Sequence, residues 1–504
     1  MWPATILGLL VLCSAFVQAD VILSPLNFRQ EQEYYTIFNT PLFSESLPDV
    51  RASPNIATRL EVTSHRTKNS SYCGLSDDQF VSGYAHITNA AGEEDKHLFW
   101  WLFKARHDPD TTPVVMTLGG GPGASGMLFP FSGAGPCAIS VNEDGHGEAS
   151  ASPYSWTEYV NVLAIDHPVG VGFSYGERTS LRNSSLTAAW DTDDFLQAFW
   201  NQYPHLTKNQ FIISSGSYGG HFVPNIVSVI RERNTEGRLN ASSTRTQKMP
   251  ESVMLVNICS DPATHYRWMH QSLCNRGPEG NMFFNETYCV YLAEQLPECL
   301  DSIDYAYQQQ NLDSKVDATH KCAYMVGELW EKFPERDPYD HRTKCPPEGC
   351  DYLALGPVED VLNSTAIKDA VGVSHSIDFK ILALADIGMP FIESGDMIQP
   401  AHLLLAPAIE DGLRLFVYNG MQDGACPWRS SLAWMRLLET KHQSAFRSTP
   451  EVEHPEVGSI RKVGPGAGNY MFIKIQEAGH MVIRSQPELL RHLMIQWVRN
   501  EEFF

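Results

Sequence analysis

An α/β fold with a mostly parallel central sheet is the architecture this chain predicts, and three short segments carry the prediction. Residues 211–224 read Phe-Ile-Ile-Ser-Ser-Gly-Ser-Tyr-Gly-Gly-His-Phe-Val-Pro. An apolar β-prone stretch enters a turn of small residues centred on Ser217. A helix-compatible run leaves it with Phe222, Ile226 and Ile230 on one face. The second segment, 415–418, is apolar and followed by Asn419-Gly420-Met421-Gln422-Asp423-Gly424, which sets an acid on a loop just past a strand. The third, 471–475, is apolar and followed by Gln476-Glu477-Ala478-Gly479-His480-Met481-Val482, which sets a histidine on a glycine-bearing loop just past another. Strand ends of open α/β sheets are where chemistry is built.

The three residue types fit one reaction. A serine hydroxyl is a poor nucleophile until a base takes its proton and a third group orients that base. A strand–turn–helix elbow lined by small residues pushes the hydroxyl outward, and the chain order Ser217, Asp423, His480 is that of an α/β-hydrolase. The strict G-x-S-x-G form is absent because Ser215 stands at its first glycine. Singly, Asp423 also reads as a turn former, His480 as a hydrogen-bonded loop residue and Ser217 as part of an ordinary turn. In this order and context the triad is the better reading.

The remaining elements follow in chain order. The first residues carry an apolar run at 6–17, and Val17-Gln18-Ala19 places small residues for cleavage, so 1–19 reads as a signal peptide with Asp20 the first mature residue. Residues 20–110 lead into edge strands at 80–87 and 98–104. Core strands are expected at 114–118, 162–165, 211–214, 253–256, 416–418 and 471–475, with 20–262 and 379–504 forming the two parts of the core. Residues 444–466, polar and bearing Gly and Pro, read as a surface loop. The last segment is a helix containing Leu489, Leu490, Leu493, Ile495 and Trp497.

Across most of the mature chain the sequence resembles the serine carboxypeptidase family, closest to its fungal secreted branch. The likeness runs from Cys73-Gly74 through 98–109, 113–137 and 153–156, then Asp166-His167-Pro168-Val169-Gly170-Val171-Gly172-Phe173-Ser174-Tyr175, the elbow, 257–262 and the two later loops. The resemblance implies Ser217 as nucleophile, His480 as general base and then acid, and Asp423 as the residue orienting it. It implies an oxyanion hole from the backbone N–H groups of Gly121 and Tyr218, a role worth about 2.7–4 kcal/mol of barrier per donor. It also implies that 263–378, rich in cysteine and helical patterns, is an inserted lid, and it sets Cys426 where family members carry a free thiol beside the pocket, without settling whether Cys426 is free or paired.

The departures from the family are as informative. Family carboxypeptidases hold the substrate's terminal carboxylate with a tryptophan, an asparagine and two glutamates, one of them protonated in acid. At those positions this chain has Thr117, Gly119, Gly133 and Gly216. The expected function is a secreted enzyme working through a Ser-His-Asp acyl-enzyme, with the exopeptidase lock lost. It would be an acyltransferase or an ester or amide hydrolase acting on a small molecule, and three glycines suggest volume cleared for a bulkier acceptor. The alternatives are a carboxypeptidase whose carboxylate site has drifted, to Ser125 or a basic lid side chain, and a non-catalytic secreted binding protein.

Composition sets the remaining bounds. The chain has 504 residues and a net charge of −22, which argues against nucleic acid and anionic membrane partners. No apolar run of membrane-spanning length follows the N-terminus. A small-molecule or peptide substrate is the expected partner, without cofactor or metal, in a secreted or vacuolar location. Five N-x-[ST] sequons, at Asn69, Asn183, Asn240, Asn285 and Asn363, fit that route. Of the 11 cysteines, Cys13 leaves with the signal, and in an oxidising compartment most of the other ten should pair.

Overall fold

The computed structural model describes residues 58–66, 73, 78–89, 91–240, 243–274, 284–331, 336–346 and 355–503. The expected signal peptide and the sequon at Asn69 lie outside them. The strands are β1 (Thr58–Arg66), β2 (Phe80–Thr88), β3 (Glu94–Phe103), β4 (Val114–Leu118), β5 (Cys137–Val141), β6 (Gly147–Ala151), β7 (Asn161–Ile165) and β8 (Tyr175–Gly176). They continue with β9 (Phe211–Ser217), β10 (Ser252–Ile258), β11 (Arg336–Asp337), β12 (Asp340–Lys344), β13 (Arg414–Gly420), β14 (Val452–His454), β15 (Gly458–Val463) and β16 (Tyr470–Ile475). Twelve of them form one sheet in the order β1-β2-β3-β7-β4-β9-β10-β13-β16-β15-β14, with β8 on β3.

The centre of that sheet, β7 through β16, is parallel, and both flanks are antiparallel. Parallel strands covered on both faces read as unbroken apolar runs. That is why β4 and β10, buried at every position, were expected from sequence. Alternation along the strands sends side chains to two cores. Trp100, Met116, Ile213 and Leu255 pack with helices α1 (Ser185–Gln202) and α2 (Gly219–Leu239). Trp101, Val115, Ile212 and Met254 pack on the other face with the C-terminal helix Pro487–Arg499. The result is an α/β fold with a mixed, mostly parallel central sheet.

Between β10 and β13 the chain leaves the sheet. Helices α3 (Pro262–Cys274), α4 (Glu286–Gln309) and α5 (Leu312–Glu331) gather a third core around Tyr266, Leu273, Leu292, Leu300 and Ala318. Disulfides Cys274–Cys289 and Cys299–Cys322 lie within it. Farther on, Val358, Leu362, Ile367 and Val371 pack into the sheet's second core, not among these helices.

One expectation is corrected, and the open state of Cys426 is decided. The segment 444–466 is not a plain surface loop: it holds a short helix (Gln443–Ser448), β14 and β15, which close one edge of the sheet. Its sequence hides this because edge strands are polar. Arg461 and Lys474 both pair with Glu451, and Lys462 pairs with Glu502. Cys426 is not a free thiol but is bonded to Cys259, 167 residues away. A fourth disulfide joins Cys73 to Cys137, and Cys345 is also disulfide-bonded.

Candidate active site

Ser217 closes β9 with φ +57°, the left-handed conformation of a sharp turn between strand and helix. L-residues avoid that region, and one that adopts it marks strain held by its surroundings. Small neighbours make it possible. A Cβ on Gly219 would sit 2.0 Å from Ser215 Oγ, and one on Gly220 would sit 2.4 Å from the Cys259 carbonyl oxygen. Ser215, at the missing first glycine of the motif, donates its hydroxyl to the Leu118 carbonyl at 2.9 Å and so pins β9 to the end of β4.

The acid and the histidine are brought to the same end of the sheet by β13 and β16. Asp423 is buried, and its Oδ2 lies 2.6 Å from Nδ1 of His480. A carboxylate oxygen accepts, so Nδ1 carries the proton and Nε2 is left as the acceptor. Oδ1 of Asp423 receives the backbone N–H groups of Ala425 (2.9 Å) and Cys426 (3.2 Å). The main chain of His480 is fixed by its N–H to the Tyr339 carbonyl at 2.7 Å, and the two rings lie 4.7 Å apart.

Sequence reasoning missed two supporting residues. Asn257, at φ +45° near the end of β10, donates Nδ2 to Asp423 Oδ2 at 2.6 Å and accepts from the Gly420 N–H at 3.0 Å. Tyr339 sits in the β11–β12 hairpin, which straps both loops: His341 N–H reaches Gln422 O and Gly424 N–H reaches Pro338 O, each at 3.0 Å. An Asn that tolerates positive φ was the available signal for the first. Nothing local signals the second.

Ser217, Tyr218 and His480 line one cavity of about 520 Å3, with Gly119, Gly120, Gly121 and Gly216 on its wall. A Cβ on Gly120 would lie 2.7 Å from Ser217 Cβ and 2.9 Å from the Tyr218 nitrogen, so the glycine run abuts the serine closely. The rest of the wall is largely apolar, including Leu118, Leu128, Phe129, Val256, Met269, Leu382 and Met397. No Lys, Arg, Asp or Glu is among the described residues that line it. The buried imidazoles of His221 and His265 are held neutral by desolvation, pushed down to about 3 and about 4.

The four altered carboxylate positions are not equivalent. Gly119 and Gly216 reach the cavity, whereas Thr117, fully buried, and Gly133 are not on its wall. The idea that these glycines clear volume is corrected at two of them. A Cβ on Gly119 would meet the Ala124 carbonyl oxygen at 1.9 Å, and one on Gly216 would meet Val256 at 2.9 Å. Backbone and a neighbouring side chain have taken the space. At Gly133 the nearest atom to a Cβ is Ser152 Oγ at 3.7 Å. Ser125, a candidate substitute for the carboxylate site, directs its hydroxyl to Asp166.

Of the described sequons, Asn183, Asn240 and Asn285 are exposed. Asn363 is half-buried, and its amide both donates to and accepts from the backbone of Phe379, at 2.9 and 2.8 Å.

A profile of the family described as serine carboxypeptidase matches residues 74–500. The chain belongs to the serine carboxypeptidase family. Carboxypeptidase Y homolog A of Ajellomyces dermatitidis is 31% identical over 418 residues, covering 81% of this chain and 72% of that protein. Carboxypeptidase Y of Saccharomyces cerevisiae is 30% identical over 417 residues, covering 81% and 74%. Among solved structures, the prohormone-processing carboxypeptidase Kex1 of S. cerevisiae superposes with a TM-score of 0.67 at 19% identity, covering 84% of this chain and 91% of that one. Membership places the chain among hydrolases, and the Kex1 likeness agrees with the fold. Among the described residues no helix is long and apolar enough to cross a membrane.

Proposed function

We propose that this family member forms an acyl-enzyme on Ser217 and passes the acyl group between partners that need not carry a free C-terminal carboxylate. It would be an acyltransferase, or an ester or amide hydrolase, acting on a small molecule with an apolar acyl part. The observation that carries the reading is the cavity wall, where Gly119 and Gly216 bring no side-chain hydrogen-bond donor and no charged side chain stands among the described residues beside Ser217 and His480. A carboxylate placed there would be desolvated without the side-chain donors that the family supplies at those positions, at a cost of several kcal/mol. An apolar acyl chain gains about 25 cal/mol for each Å2 it buries.

In this mechanism the Ser217 hydroxyl attacks the acyl carbon while its proton passes to Nε2 of His480. The imidazolium is stabilised by Asp423 across the 2.6 Å bond. The backbone N–H groups of Gly121 and Tyr218 receive the negative charge on the former carbonyl oxygen. Collapse expels an alcohol or amine, which takes the proton from His480. Water, a hydroxyl or an amine then repeats the cycle in reverse and frees Ser217. With the leader read at 1–19 and the sequons, the enzyme would work along the secretory route or in the vacuole.

A second reading is favoured by the relatives, whose names are those of carboxypeptidases: a peptidase that anchors the peptide terminus by other means. One assay series separates the two. Ser217→Ala should abolish labelling by a fluorophosphonate probe and all turnover. Blocking a peptide's C-terminus as the amide should change kcat/KM by less than about tenfold, ~1.4 kcal/mol. Acyl transfer to a small hydroxyl or amine should exceed release of terminal amino acids. Residue-by-residue trimming of free-carboxylate peptides with amides ignored would establish the carboxypeptidase instead. A folded parent protein that never labels would be a binding protein.

A further inference from the structure

We propose that Cys259, His265 and Cys426 form a three-ligand site for a thiophilic divalent cation, of the zinc class, once the disulfide between the two cysteines is opened. The ligand atoms of the three residues lie within 4.8 Å of one another. They come from three elements: Cys259 from the turn after β10, His265 from the first turns of α3, and Cys426 from the loop that carries Asp423. All three line the substrate cavity, so a small dithiol and an ion can reach them.

The donor set suits such an ion. Two thiolates and an imidazole are the ligands of closed and open zinc sites alike. Nδ1 of His265 has no hydrogen-bond partner, although the residue is only 8% exposed. The Cα atoms of the two cysteines are 5.7 Å apart. Zinc at about 2.3 Å from each sulfur needs them roughly 3.8 Å apart in a tetrahedral arrangement, which side-chain rotation supplies. The main chain need not move, because it is held independently. Cys259 N–H bonds the Ser217 carbonyl at 3.1 Å and Cys426 N–H bonds Asp423.

The chemistry balances. A dithiol reductant gives two electrons and two protons and closes into its own cyclic disulfide, leaving two protein thiols. Binding M2+ expels both thiol protons, so the ion and two thiolates make a site of zero net charge. A neutral complex is what an apolar cavity tolerates. Three protein ligands leave a fourth position open toward the cavity, where the ion competes with substrate beside Ser217. The open disulfide therefore adds a metal-dependent brake that the closed one lacks. The competition rests on the reading of this cavity as the substrate site, whereas the ion site itself does not.

Cobalt(II) tests the site by its spectrum, independently of activity. The full chain, reduced with dithiothreitol and freed of it by anaerobic gel filtration, should bind one Co2+ with thiolate-to-metal charge transfer in the near ultraviolet and tetrahedral visible bands, and Zn2+ should displace it. The oxidised chain should bind none. His265→Phe, which keeps every cysteine, should weaken binding at least tenfold after the same reduction, and Cys426→Ser should lose the charge-transfer band. One equivalent of Zn2+ should then block fluorophosphonate labelling of the reduced chain only, with chelation restoring it. The proposal is overturned if reduced His265→Phe binds as tightly as the parent or if the oxidised chain binds equally. It is also overturned if a chain with both thiols titrated open binds nothing or loses its fold first. Cobalt binding without loss of labelling would keep the metal site and sink the reading of this cavity as the substrate site.

Discussion

At the residue scale, Asp423 is held by donors drawn from three directions. Ala425 and Cys426 approach from its own loop, Asn257 from the strand beside it, and His480 from the next. Asn257 touches neither the serine nor the cavity's reacting region, so it is a positioning residue. Hydrogen bonds to charged groups are worth about 1.5–3 kcal/mol. Asn257→Ala should accordingly lower kcat on the order of 10–100-fold with KM little changed, while Asn257→Gln should not restore the geometry. Equal kcat in Asn257→Ala and parent would remove the role. Asp423→Asn should cost more, about 10⁴ in kcat. Gly119 makes the opposite case. A Cβ there lands 1.9 Å from the Ala124 carbonyl, so Gly119→Asn should destabilise the protein by at least about 1–3 kcal/mol, as overpacking does. Urea unfolding reads it directly, and a stable, unperturbed Gly119→Asn protein would show that the wall is open after all. Ser217, Asp423 and His480 could be singled out in the sequence because each sits where an apolar run breaks. Asn257 and Tyr339 could not be given their roles there, since each acts on a residue more than a hundred positions away.

The elements that build the site are three neighbouring parallel strands, β10, β13 and β16, whose ends carry Asn257, Asp423 and His480. Their spacing leaves no slack. A Cβ on Gly420 would meet the carbonyl oxygens of Gly479 and Ala478 at 2.1 and 2.5 Å. Gly420→Ala should therefore push the acid loop from the histidine loop, cost about 1–3 kcal/mol, and lower kcat more than KM. Activity and stability both unchanged would contradict that packing. Across the site, the helical insert is closed by short loops of 15 and 23 residues between half-cystines. Each such crosslink contributes roughly 3 kcal/mol in the chain-entropy account. Cys299→Ala with Cys322→Ala should show that loss as early proteolysis within α4 and α5, with the sheet intact. The parallel strands were legible because burial on both faces forces continuous apolar runs. The edge pair β14–β15 and the β11–β12 strap were not. Their polar side chains satisfy the edge and the neighbouring loops, and a sequence shows those partners only as scattered charges.

For the molecule as a whole, the family was legible because ordered motifs from Cys73 to His480 agree together, and the profile over 74–500 spans the same ground. The bond from Cys259 to Cys426 was not, since nothing in the spacing of ten cysteines selects that pair. The same burial that shapes the core sets the response to acid. Desolvation pushes His167, His265 and His341 down to about 4 and His221 down to about 3. Freed by unfolding, each would take up a proton near pH 6.5, so stability is lost as pH falls from there toward 4. Desolvation also pushes Asp166 up to about 7 and Asp194 and Asp337 up to about 6. These carboxyls hold protons in the native state that the unfolded chain has released, so they favour the fold as pH falls below those values. Asp337 is half-exposed and counts for less. Burial also lowers His97, His270, His402 and His442 and raises Asp304 and Asp396, so the lowered imidazoles outnumber the raised carboxyls and the unfolded chain binds more protons than the native one as pH falls toward 4. Stability should therefore fall as pH is lowered from about 6.5 toward 4. Asp166→Asn sharpens the test, because the amide keeps an acceptor for the Phe173 N–H and a contact for Ser125 but binds no proton. Its slope over the same interval should be steeper than the parent's. Urea unfolding at pH 4.5, 5.5 and 6.5 measures both slopes. A parent whose stability is flat or rises toward pH 4, or an Asp166→Asn slope no steeper than the parent's, would show that these buried groups do not govern the response to acid.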